Sequence, residues 1–155
     1  MRERPAVVFD TDVYVNALVG PDSDWTRLSS LTASANPDAD CLSMAFDASG
    51  MRVMISPRIL SSVSNALRRL GVNAANTKAA VTAVLDVVKA SGGRVVDPPG
   101  HRYDPPHPKA MIMDLALEVD ATLIVTDDAD LSSPWYGIPV LRLRPLYLPR
   151  PSWGR

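Results

Sequence analysis

Short apolar runs alternate along this chain with longer stretches in which apolar residues recur every three or four positions. Five runs predict buried strands: 6–9 (AVVF), 52–55 (RVMI), 94–97 (RVVD), 122–126 (TLIVT) and 138–143 (IPVLRL). Most are continuously apolar rather than alternating, as expected of parallel strands covered on both faces. Between them the period changes to that of a helix. Ser56 and Pro57 suit an N-cap and a first helical position, Ile59, Leu60, Val63, Leu67 and Leu70 form a stripe, and Gly71 stops it. A second helix is predicted after Asn76, with Val81, Val84, Leu85 and Val88 as its stripe and Gly92 and Gly93 as its end. Further helices are predicted over 108–119, 41–49 and 11–19, with a short one before Pro134.

Strands alternating with helices predict an α/β fold: a three-layer α/β/α sandwich on a parallel, roughly five-stranded sheet. The segment 22–38 reads as a loop, with Trp25, Leu28 and Leu31 able to anchor a short helix within it. One domain over 1–145 is expected, followed by a Pro- and Arg-rich tail over 146–155. In such folds the functional site lies outside the carboxyl ends of the strands.

Composition narrows this only in part. With 155 residues, 46% hydrophobic and 21% charged, the chain has the balance of a folded domain rather than a disordered one. A net charge of −1 neither favours nor excludes nucleic acid, because a binding face can be locally basic. Cys41, the single cysteine, cannot form an internal disulfide, so a reducing cytoplasm is the expected setting. It falls in a helix-like stretch and reads as a buried apolar residue rather than a nucleophile. The apolar run at the start is broken by Asp10 and Asp12, and no membrane association is expected.

The chemistry concentrates where strands end. Asp10 follows the first strand and Asp12 comes two residues later; Asp127, Asp128 and Asp130 follow the fourth, in IVTDDADL. If these two strands are neighbours, the carboxylates converge and raise one another's pKa unless a cation neutralises them. Hard oxygen ligands of this kind suit Mg²⁺ or Mn²⁺. The same aspartates equally suit helix N-caps. Both readings are open at this level.

Three stretches then resemble one family. VVFDTDVYVNALVG is similar to the opening of PIN domains, in which a strand runs into Asp-Thr-Asn-Val and an apolar helix. ISPRILSSVSNALRRLG resembles their second segment, and ALEVDATLIVTDDADLSS their closing one. The order and spacing match along nearly the whole chain, and the nearest likeness is to toxin components of toxin–antitoxin pairs. The resemblance implies an α/β/α fold and a Mg²⁺- or Mn²⁺-dependent endoribonuclease acting on single-stranded RNA, blocked by a small antitoxin protein. By position it implies Asp10 and Asp128 as catalytic acids and metal ligands, with Asp130 beside them. Asp12 stands where the family usually has Asn and adds a possible ligand.

Two positions depart from the pattern. The family's Glu on the helix after the second strand falls at Ser62, and its Asp before the fourth strand falls near Ala110. Asp114, one turn along the same helix face, is a candidate replacement, and Asp104 and His107 lie in the preceding loop. Arg58 and Lys109 are candidates for phosphate contact; Arg68 and Arg69 lie on the same kind of helix surface. Arg142, Arg144 and Arg150, with Tyr147 and Trp153, make a basic and aromatic end suited to RNA or to packing in a homodimer. A PIN-fold protein that no longer cuts, and binds RNA or protein instead, is the alternative these departures raise.

Overall fold

A computed structural model describes residues 4–19, 37–46, 50–99, 109–128, 131 and 133–143. The described residues form four strands and five helices in the order β1 (Ala6–Phe9), α1 (Thr11–Val19), α2 (Pro37–Phe46), β2 (Arg52–Met54), α3 (Pro57–Arg69), α4 (Ala74–Ala90), α5 (Ala110–Glu118), β3 (Leu123–Thr126) and β4 (Val140–Arg142). The strands make one parallel sheet in the order β2-β1-β3-β4, with Val7 opposite both Val53 and Leu123. The arrangement is consistent with three layers.

All four residues of β1 are buried, as its unbroken apolar run requires of a central strand. Phe9 carries the run into the helix behind it, its ring 5.7 Å from that of Tyr14. Val13, Val15, Leu42, Ile59, Leu67, Val84, Ile112 and Leu115 complete the core from the helices. The strand order has one consequence for function. The chain steps from β1 to β2 on one side and later returns to β3 on the other, so the β1–β3 boundary is a topological switch point, where the crevice of an open α/β sheet forms.

The expected fifth strand is not part of the sheet. Of the run 94–97, Val95 alone makes a bridge, parallel to Ile55, through Ile55 N–H to Arg94 O and Val96 N–H to Ile55 O. Pro98 and Pro99 follow Asp97 and have no N–H to continue the ladder. Helix boundaries also move. The α4 helix begins at Ala74 because Asn73, not Asn76, is its cap, its side chain accepting the Asn76 N–H at 2.8 Å. The α2 helix begins at Pro37 rather than near Cys41, with Asp38 and Asp40 in its first turn, where the helix dipole favours anions. The helix expected before Pro134 and the one suggested within 22–38 lie wholly or partly outside the described residues, as does the tail 146–155.

Candidate functional site

Asp10 leaves β1 at its carboxyl end, and Asp127 and Asp128 leave β3 at the same edge of the sheet. Because β1 and β3 pair directly, the condition for convergence is met. The Asp10 backbone N–H donates to Val125 O at 2.8 Å, which locks the two strand ends together.

Asp10 is fully buried, and its two oxygens do different work. Oδ1 accepts the Thr11 N–H at 2.7 Å, at the entry to α1. Oδ2 accepts from Thr126 Oγ1 at 2.9 Å and from Lys109 Nζ at 2.8 Å. The helix-terminus reading and the strand-end-site reading of Asp10 thus each describe one oxygen. Thr126 in turn accepts the Asp128 N–H at 2.9 Å, and the Asp128 carboxylate lies 3.9 Å from the same Lys109 nitrogen. One ammonium therefore stands between Asp10 and Asp128. Lys109 comes from the residue just before α5 and is 23% exposed.

A second pair of carboxyl groups backs this one. Asp12 Oδ1 accepts the Asp127 N–H at 3.3 Å, and Asn16 donates to Asp127 Oδ2 at 2.6 Å. Asp12 and Asn16 are four residues apart, on one face of α1, so the helix presents both to the end of β3. Burial pushes the Asp12 carboxyl up to about 8, with Asp10 and Asp127 adding to the rise and Lys109 opposing it. Asp12 is therefore neutral at pH 7. Burial works against the Lys109 ammonium, but Asp10, by charge and hydrogen bond, and then Asp12 and Asp128 hold its pKa above the ordinary lysine value.

The other predicted residues are placed elsewhere or not described. Asp114 is buried on the inner face of α5, where its Oδ2 lies 3.5 Å from Arg58 and its Oδ1 has no hydrogen-bond partner. It pairs with the second predicted phosphate contact rather than joining Lys109. Ser62 sits half-buried on α3, and Ala110 is the buried first residue of α5. Asp104, His107, Asp130, Arg144, Tyr147, Arg150 and Trp153 lie outside the described residues. Arg68 lines a separate cavity of ≈ 640 Å³ between α3 and α4, with Lys78 and Val81. Cys41 is buried, as expected of an apolar cysteine.

Sequence reasoning missed Thr126 and Asn16. Thr126 carries a weak signal, a hydroxyl as the last residue of an apolar strand directly before two aspartates. Asn16 carries another, a polar side chain on an otherwise buried helix turn.

The donors are oxygens suited to Mg²⁺ or Mn²⁺. The centre also holds more carboxyl groups than its lysine balances, which is why Asp12 keeps its proton. In donor type the residues fit one hard cation, held by Asp10 and Asp128 with Asp12 nearest. In number they are short: among the described residues no three acidic, histidine or cysteine side chains group closely enough to hold an ion. Among these residues, too, no helix is long and apolar enough to cross a membrane. No protein-family model matches the chain, and no curated protein matches it.

Proposed function

We propose that this chain is a PIN-like, toxin-type endoribonuclease that hydrolyses phosphodiester bonds of single-stranded RNA with one Mg²⁺ or Mn²⁺ ion. The observation that carries the reading is the convergence of Asp10 and Asp128 on a single cationic position at the β1–β3 switch point. In this reading Asp10 and Asp128 hold the ion, and Asp12 or Asp130 completes its ligands. Once bound, such an ion polarises a phosphodiester and supplies hydroxide near neutral pH. Thr126 and the Thr11 N–H fix the Asp10 carboxylate in one orientation. Arg58, half-exposed at the start of α3, contacts RNA phosphates. A small antitoxin protein covering the centre, a homodimer and a cytoplasmic setting belong to the same reading.

A second reading is favoured by one specific feature. Lys109 already neutralises Asp10 and Asp128, and Ser62 and Ala110 stand where the family has carboxylates. A PIN-fold module that binds RNA or protein without cutting accounts for both. The deciding experiment incubates the purified chain and its Asp10→Asn variant with labelled single-stranded RNA in Mn²⁺, Mg²⁺ or chelator. Cleavage that needs metal and is lost in Asp10→Asn is expected. No cleavage under any condition, together with no heat of Mn²⁺ binding, would leave the second reading in its place.

A further inference from the structure

Lys109 is not where the local structure of its own helix wants a cation. It occupies the N-cap of α5 and makes no side-chain cap hydrogen bond. The positive end of the helix dipole disfavours an ammonium there. What holds it is a carboxylate 99 residues away in the chain, Asp10, at 2.8 Å. Asp10 has one oxygen committed to the Thr11 N–H, so Oδ2 is the oxygen that faces the centre, and Lys109 sits on it. Asp128 flanks the same nitrogen from the other strand end.

A divalent ion bridging Asp10 and Asp128 needs oxygen ligands at about 2.0–2.2 Å for Mg²⁺ or a similar ion. That position and the Lys109 ammonium exclude each other, by overlap and by like-charge repulsion. The lysine stem is partly exposed and flexible, so the ammonium has a route out to solvent. We propose that Lys109 is a resident counter-ion that closes the centre, and that an incoming divalent cation must displace it. This rests on the metal-dependent reading above and adds its regulation: metal affinity is set by competition with a side chain of the same chain.

The test is calorimetric titration of Mn²⁺ into wild type, Lys109→Gln and Lys78→Gln at one pH, with folding checked by circular dichroism. Lys109→Gln removes the charge but keeps an amide donor for the buried Asp10 carboxylate. Lys78→Gln, on α4, makes the same change in net charge away from the centre. The expected result is Mn²⁺ affinity raised about tenfold or more by Lys109→Gln and unchanged by Lys78→Gln. Uptake by Lys109→Gln alone also supports the resident counter-ion, while overturning the proposal that the wild-type chain uses a metal. Equal or weaker affinity in folded Lys109→Gln overturns the competition and leaves the metal reading intact. No uptake by either folded protein overturns both.

Discussion

At the scale of single residues, burial decides which titratable groups are charged. The Cys41 thiol is pushed up to about 12, first by burial and then by Asp38, Asp127 and Asp40. At pH 8 it is therefore almost wholly protonated, and the thiolate is the reactive form. Native protein should react with a disulfide reagent about 100-fold more slowly than unfolded protein; equal rates would show an exposed, ordinary thiol. Asp12 shows the same effect in a carboxyl group, raised from 3.8 to about 8. The sign follows from proton counting. Between about pH 4 and pH 8 the native state keeps a proton that the unfolded state has released, so stability falls as pH rises through that window. Asp12→Asn keeps an oxygen to accept the Asp127 N–H and removes the ionisation. In chelator it should raise Tm at pH 8.5 by about 3 °C or more and change it little at pH 5. Thermal melts across that range check it, and a variant whose Tm falls in parallel with wild type would refute it. Asp10 and Asp128 were legible in the sequence because each ends an apolar run. The partner of Lys109 was not, because pairing across 99 residues depends on how α5 is set against β1.

Elements were legible where a local rule had one candidate and shifted where it had two. The α3 start had one: Ser56 accepts the Ile59 N–H at 3.2 Å and Pro57 opens the helix. Ser56→Ala should cost about 1 kcal/mol, the usual value of a lost N-cap, measured by urea unfolding. A loss below a few tenths would mean that the cap is replaced by another donor or by solvent. The α4 start had two candidates in NAAN, and the first asparagine caps. The run 94–97 had the right composition for a strand, but a strand needs donors beyond it, and Pro98 and Pro99 have none. The approach of this segment to β2 instead rests on small residues. Ser91 Oγ accepts the Val53 N–H at 2.9 Å, and a Cβ on Gly93 would overlap the Val53 carbonyl. Gly93→Ala should therefore destabilise by about 2–3 kcal/mol, as overpacking against backbone does. Gly71→Ala, whose Cβ would meet nothing, serves as the comparison despite its left-handed φ of 88°. If the two variants lose the same amount, left-handed strain rather than contact sets the scale.

For the whole molecule, the parallel sheet brings the ends of β1 and β3 together whether or not an ion is present. The core is apolar and continuous from α1 through β1 to α4. Asp10, the one fully buried carboxylate of the centre, already has Lys109, Thr126 and the Thr11 N–H as partners. Folding therefore does not need a metal to neutralise a buried charge, unlike a small structural-zinc domain. Chelator should leave Tm unchanged. A cation that binds only the folded chain adds stability as RT ln(1 + [L]/Kd), about 2.7 kcal/mol at a concentration one hundred times Kd. For a chain of this length that is a rise of about 5–10 °C in Tm. Melts in rising Mn²⁺ should show this logarithmic climb in wild type and lose it in Asp10→Asn. The variant would also melt lower without metal, because an amide at position 10 pairs less strongly with Lys109 than a carboxylate does. A Tm that falls with chelator would instead make the ion part of the fold. A Tm indifferent to Mn²⁺ up to millimolar concentrations would leave Lys109 as the only cation the centre uses.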